Sequence, residues 1–292
     1  MEWIKKEVEI NVSSRKKEGA SMRLISICPS NTELVEYLGL TDSLIGVDDY
    51  SDWPERVKTL PRLGPDLQID IDKVEELQPD LVLASLSVPG MERNIEELKK
   101  RNLPYVIVPN PKSLQEVGES LLFVGKATNV YEKATRLAEK YQQILESYQR
   151  LSKQVEHPKS IYWEWWAKPI FTPGATNWLT EMSKLAGGRN IFQDIDQASV
   201  QTDWEEVRRR KPDVMCIIWV GVQADRVNPK VILKRPQSNS MQAIQNNHLY
   251  ILEEPLFCRP SPRLLVGLNK IASILHPAIF PPFVEGKDPL LE

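Results

Sequence analysis

Histidine is nearly absent from this chain. The three present, His157, His248 and His276, stand far apart with no H-x-x-x-H or H-x-E spacing. Metal binding or acid/base chemistry built on imidazole therefore has little material, which weighs against a hydrolase. Cysteine is equally scarce: Cys28, Cys216 and Cys258 are an odd number, widely spaced, and two lie inside apolar runs, LISIC and VMCII. That suits buried core thiols better than a disulfide framework or a metal cluster. Positive charge is not in excess, with 37 Lys and Arg against 40 Asp and Glu. No net field exists to condense on a phosphate backbone or an anionic bilayer, so neither nucleic acid nor the membrane is an expected partner.

Residues 1–21, MEWIKKEVEINVSSRKKEGAS, are charged throughout and contain no apolar run of the ~7–15 residues that a secretory signal needs. They read as a disordered extension. Cys28 has no small residue immediately before it and no apolar segment upstream, so it is not a lipidation site.

What is present is alternation. At 292 residues the chain exceeds the ~100–200 of a single domain, and two lobes with separate cores follow. The apolar run 23–28 leads through Pro29 to Ser30-Asn31-Thr32-Glu33, a capping-box pattern opening the periodic segment LVEYLGL. LIGV at 44–47, an amphipathic DKVEELQ, DLVLAS at 80–85, ERNIEELKKR and YVIVP at 105–109 continue the strand–helix alternation of a parallel sheet. No proline occurs from Ser113 to Val155, and Ala134, Leu137, Ala138, Tyr141, Ile144, Leu145, Tyr148 and Leu151 form the stripe of one long helix. The alternation then resumes with SIYWEWW, WLTEMSKLAGG, DVMCIIWV, LYIL and a last helix from Ser261-Pro262 to Leu275. The boundaries this implies are an N-terminal α/β lobe over 22–128, an interlobe helix over 129–156, a C-terminal α/β lobe over 157–280 and a tail over 281–292.

The two lobes repeat one design. Asp72-x-Val74 with Pro79-Asp80-Leu81-Val82 returns as Glu205-x-Val207 with Pro212-Asp213-Val214-Met215, at a constant offset of 133 positions. Fainter echoes are the Leu-Gly at 38–39 against Ala-Gly-Gly at 186–188, and PYVIV against LYIL.

The segments PSNTELVEYLGL, LIGVDDYSDWPERVKTLPRLG, ELQPDLVLAS, FTPGATNWLTEMSKLAGGRNIFQD, EEVRRRKPDV and RPSPRLL resemble the class III substrate-binding proteins of ABC importers. The likeness spans about residues 23–276. It implies an α/β fold of two Rossmann-like lobes with mainly parallel sheets, joined by one rigid helix, with a ligand cleft between them. It also implies a monomeric carrier of cobalamin, haem or a ferric siderophore that hands its cargo to a permease dimer, with no catalytic residues, no resident metal and no catalytic cofactor. GVDDYSDWP and the late R-x-S-P-R most resemble the cobalamin-binding members, in which a tyrosine at the position of Tyr50 packs on the corrin ring. The family lies outside the cytoplasmic membrane, whereas residues 1–21 carry neither export signal nor lipobox and by themselves imply the cytoplasm.

A corrin or porphyrin presents a broad apolar face with a polar rim, which calls for flat walls and a few donors. Tyr50 and Trp53 sit in a loop after a strand, where an open parallel sheet places ligand contacts; the competing role is a surface aromatic capping the core. Along SIYWEWW, Ile161, Trp163 and Trp165 alternate with Tyr162, Glu164 and Trp166. Trp165 and Trp166, nearest the strand end, and Trp219, ending its own strand, are cleft residues or core packing. Arg259, with Phe257 beside it, either meets a ligand carboxylate, amide or phosphate, or pairs with an acid. By the resemblance Asp72 and Glu205 dock with permease arginines; capping of their helices is the competing role. Two rival functions are a cytoplasmic corrinoid or haem carrier and a chelatase-type enzyme of related fold, and the latter would require metal ligands or an acid/base pair in the cleft.

Overall fold

The computed structural model describes residues 22–292; the 1–21 extension lies outside the described residues. The chain divides into two compact units, the first holding 22–111 and 116–140, the second 112–115 and 141–292. In chain order the first carries β1 (Leu24–Ser26), α1 (Pro29–Tyr37), β2 (Leu44–Val47), α2 (Ile71–Glu76), β3 (Leu81–Ala84), α3 (Glu92–Lys100) and β4 (Tyr105–Ile107). Two helices follow, α4 (Leu114–Ala127) and α5 (Tyr131–Ser152), and the division between units falls within α5. The second unit continues with β5 (Lys159–Glu164), β6 (Trp166–Ala167), β7 (Ile170–Pro173), α6 (Trp178–Leu185), β8 (Gly188–Asn190), β9 (Ser199–Thr202), α7 (Trp204–Arg210), β10 (Val214–Ile217), α8 (Lys230–Leu233), α9 (Gln242–Gln245), β11 (Leu249–Ile251) and α10 (Leu264–Leu275).

Each unit is built on a four-stranded parallel sheet, in the order β2-β1-β3-β4 in the first and β8-β5-β10-β11 in the second. The repeat read from sequence is a repeat of structure. Leu24 faces Leu81 across β1 and β3, and Ile161 faces Val214 across β5 and β10; the residues of β3 and β10 are again 133 apart. Helix α2 begins at an Asp70 N-cap that accepts from the Lys73 amide, and α7 at an Asp203 N-cap that accepts from the Glu206 amide. Gln78 and Lys211, also 133 apart, both take up left-handed backbone, at φ 47° and 46°. Asp80 then accepts the amide of Arg23 at 2.8 Å, and Asp213 accepts the amide of Ser160 at 2.8 Å, so one carboxylate in each unit ties the start of a central strand to its neighbour.

The fainter echoes are also equivalent positions. Gly39 and Gly187 follow α1 and α6 at φ 66° and 74°, a conformation glycine adopts without steric cost. β4 and β11 carry Tyr105-Val106-Ile107 and Leu249-Tyr250-Ile251. The second unit departs from the plan through an antiparallel three-stranded sheet, β6-β7-β9, which sequence reading missed.

Both faces of the central strands are covered. Ile25, Leu63, Val74, Val82 and Leu98 cluster in the first unit, and Tyr162, Phe192, Val207, Met215 and Ile217 in the second. On α5, Ala134, Tyr141, Leu145 and Tyr148 of the sequence stripe are buried. Helix α1 corrects one expectation. Its N-cap is Cys28, with no side-chain capping bond, and Pro29 occupies the first turn. Proline has no amide to satisfy and its φ is preset for that position, so the helix starts one residue before Ser30 and the capping box does not form. The Ser30 hydroxyl instead lies 3.3 Å from Cys28 Sγ.

Candidate functional site

In a parallel sheet the connections leaving the carboxyl ends of the strands are the natural place for ligand contacts. In the first unit the loop after β2 is held from both sides. The fully buried Asp48 accepts the Ser51 hydroxyl at 2.6 Å and the Tyr50 amide at 2.9 Å. Arg62 donates to the carbonyls of Asp48 at 2.8 Å and Ser51 at 2.6 Å. Beneath, Ser51 and Thr32 share a hydrogen bond at 2.7 Å, and Thr32 reaches Ser26 at 2.8 Å. On this cross-linked loop the Tyr50 ring stands 52% exposed. Trp53, three residues on, is half-buried and tilts against Tyr37 with ring centroids 5.5 Å apart.

After β3 the same unit exposes Leu86 at 42% and Val88 at 40%. The first unit also has a cavity of about 340 Å³ beside α4, lined mainly by Pro109, Pro111, Leu122, Phe123 and Tyr131; none of the residues expected at the ligand lines it.

In the second unit Trp165 and Trp219 leave β5 and β10, and the Val220 amide donates to the Trp165 carbonyl at 3.1 Å. Trp165 is half-buried with its ring 6.4 Å from that of Trp178. Trp166 is 47% exposed at the start of the hairpin, its indole donating to the Lys168 carbonyl, and Val220 is 45% exposed. Trp219 is half-buried and its Nε1 donates to Glu164 Oε1 at 3.0 Å.

Phe257 requires a correction. Its ring is fully buried, with its centroid 5.5 Å from that of the equally buried Trp163, and its carbonyl accepts the Trp178 indole at 2.7 Å. Aromatic area spent on core packing leaves no face for a ligand. Arg259 Nε lies 3.5 Å from Glu254 of its own unit, with both side chains largely buried. Asp72 and Glu205 are each the second residue of an equivalent helix, and the capping role falls to Asp70 and Asp203 instead. Asp72 pairs with Arg101, which also reaches Glu75 at 3.0 Å.

Burial raises the Cys28, Cys216 and Cys258 thiols above their ordinary range, which leaves them poor nucleophiles and metal ligands. Among the described residues no three His, Cys, Asp or Glu side chains converge as a metal site.

Two repeated α/β units, each built on a four-stranded parallel sheet with exposed apolar side chains just beyond its carboxyl end, have the fold of the two-lobed binding proteins. The chain belongs to the periplasmic binding protein family, whose pattern matches residues 24–256. It is 29% identical over 262 residues, covering 88% of this chain and 81% of the other, to an uncharacterized ABC transporter substrate-binding lipoprotein, YvrC, of Bacillus subtilis (strain 168). It is 27% identical over 250 residues, covering 85% of this chain and 88% of the relative, to a vitamin B12-binding protein of Vibrio vulnificus (strain YJ016). Among solved structures it resembles the periplasmic vitamin B12 binding protein BtuF of Vibrio cholerae, with TM-score 0.71, 25% identity and coverage of 88% of this chain and 98% of that one.

Proposed function

We propose that this chain is the substrate-binding component of an ABC importer, that its cargo is a corrinoid, and that it works outside the cytoplasmic membrane. The observation that carries the cargo is the distribution of exposed apolar side chains. Tyr50, Leu86 and Val88 in one unit, and Trp166 and Val220 in the other, all emerge just beyond the carboxyl ends of sheet strands. Large apolar groups left in water at such edges suit a ligand with a broad flat face, and Tyr50 on its braced loop is the first contact. Trp53, Trp165, Trp219 and Arg259 flank these positions. The relatives named for vitamin B12 support the corrinoid reading.

Delivery needs a second surface. Asp72 and Glu205, repeated on α2 and α7, are the docking acids in this reading, since a carrier of two like units presents its charges in duplicate to a two-fold permease. Asp70 and Asp203 make the side-chain caps, so Asp72 and Glu205, in the same first turns where the helix dipole favours an anion, keep their carboxylates available for a partner's cations. Binding and release need no covalent step.

The test is titration of the purified chain with cyanocobalamin, haemin and a ferric hydroxamate, following tryptophan quenching and the ligand's visible spectrum. Saturable binding of cyanocobalamin alone supports the reading; tighter binding of haemin or the hydroxamate reassigns the cargo within the same family; binding of none refutes the corrinoid assignment.

A further inference from the structure

The second unit holds an ion pair directly behind its carboxyl edge, its carboxylate fully buried and its guanidinium largely so. Glu164, the last residue of β5, is fully buried, and its two oxygens accept from three side chains. Oε2 takes the Tyr162 hydroxyl at 2.6 Å and one Arg235 nitrogen at 2.6 Å. Oε1 takes the other Arg235 nitrogen at 2.8 Å and the Trp219 indole at 3.0 Å. Arg235 lies after α8, in the crossover from β10 to β11, with its guanidinium 4.9 Å from the Trp204 ring centroid. The Trp204 indole in turn holds the Pro236 carbonyl at 2.9 Å.

The repeat supplies an internal control. With Leu24 and Ile161 equivalent across the two sheets, Glu164 corresponds to Ile27, a buried apolar residue. By the 133 offset, Trp219 corresponds to Leu86, an exposed side chain. The first unit thus closes the same place with isoleucine and has no charge there. A buried ion pair is weak evidence for stability, because apolar residues of similar volume serve as well or better. What the charge adds in the second unit is direction: a bidentate arginine fixes the carboxylate, and the carboxylate fixes the rotation of one indole.

We infer that Glu164 is a positioning residue that presets Trp219 as a rigid aromatic wall at the ligand edge of the second unit and, through Arg235, ties the β10–β11 crossover to that wall. The inference rests on the reading of this edge as a ligand surface. Preorganising one aromatic contact spares the ordering cost that a free indole meets on binding.

The full chain tests it, with cyanocobalamin, haemin and a ferric hydroxamate as probes, in wild type, Glu164→Gln, Trp219→Phe, Trp219→Ala, the pair Glu164→Gln/Trp219→Phe and the triple Glu164→Leu/Arg235→Met/Tyr162→Phe. Trp219→Phe keeps a ring and removes the Nε1 donor. Glu164→Gln and Trp219→Phe should each weaken binding of the bound probe about three- to tenfold, and their combination should add less than about twofold to Trp219→Phe alone. Glu164→Leu/Arg235→Met leaves no buried charge but strands the buried Tyr162 hydroxyl; with Tyr162→Phe added it should melt close to wild type and still bind about three- to tenfold more weakly, a separation that a merely structural pair would not give. Wild-type affinity in that triple variant, or losses that multiply in the Glu164→Gln/Trp219→Phe pair, overturns the inference. Undiminished affinity in Trp219→Ala overturns it while leaving the carrier function intact. If wild type binds none of the three probes, the reading of the edge fails and the inference falls with it.

Discussion

Replacing Tyr50, a residue 52% exposed, with alanine removes its ring while leaving the supports of its loop in place. A tyrosine carries roughly 200 Å² of coverable surface, so a flat ligand seated on the exposed half takes about 100 Å² out of water. At ~25 cal/mol per Å² the upper bound is about 2.5 kcal/mol. Allowing for the polar hydroxyl end, the loss should be about 1–2 kcal/mol, or roughly five- to thirtyfold in Kd. Tyr50→Phe should stay within about threefold, because the ring and not the hydroxyl supplies the area. The assay is cyanocobalamin titration followed by tryptophan quenching, with thermal melting in parallel. The ring is about half covered in the fold, so Tyr50→Ala should lower Tm by no more than a few degrees and keep one cooperative transition, which separates lost contact from lost fold. Unchanged Kd in a normally melting Tyr50→Ala variant refutes Tyr50 as a ligand wall.

The strand locks predict a matched pair of stability losses. Asp80→Asn and Asp213→Asn each weaken a carboxylate–amide bond and should each cost about 1–2 kcal/mol in urea unfolding, adding when combined because the sites lie in separate units. For Asp213, burial raises the pKa, but hydrogen bonds from the Ser160 amide and hydroxyl outweigh it and hold the carboxyl below its usual 3.8. The folded pKa being the lower one, this stabilisation is present above about pH 3.8 and is lost as pH falls through the folded value; Asp213→Asn should flatten that part of the acid-unfolding profile, and an unchanged profile would refute the linkage. Tyr141 has a buried hydroxyl with no hydrogen-bond partner among the described residues, so Tyr141→Phe should be neutral or stabilise by up to about 1 kcal/mol; a loss above 1 kcal/mol in the same assay would contradict this. Reversing both charges in Asp72→Lys/Glu205→Lys should abolish delivery in a reconstituted permease and leave ligand Kd unchanged, and normal delivery would discard the docking role.

Much of the architecture was legible because parallel βαβ units impose a simple alternation. LIGV became β2 with the bounds read for it, and the 133-residue offset held through N-caps, left-handed turns and strand register. The antiparallel β6-β7-β9 sheet escaped because its strands are short and part-polar, as in Ser199–Thr202, and so lack the apolar run by which a buried strand is recognised. The capping box in α1 misled because a Ser-x-x-Glu spacing says nothing of a proline standing one residue upstream.

The ligand edge was only half legible, for a different reason. A strand pattern shows which side chains alternate, but not which of two covered faces meets solvent. SIYWEWW therefore marks Trp165 and Trp166, nearest the strand end, ahead of Trp163, and only the fold separates half-buried Trp165 from exposed Trp166. Glu164, in the middle of that run, drew no attention because the partner that makes its burial tolerable, Arg235, lies 71 residues further on. An acid inside an apolar strand is costly unless a cation reaches it. Where such an acid sits at the carboxyl end of a sheet strand, the long crossover that follows the next strand is the place to look for its arginine.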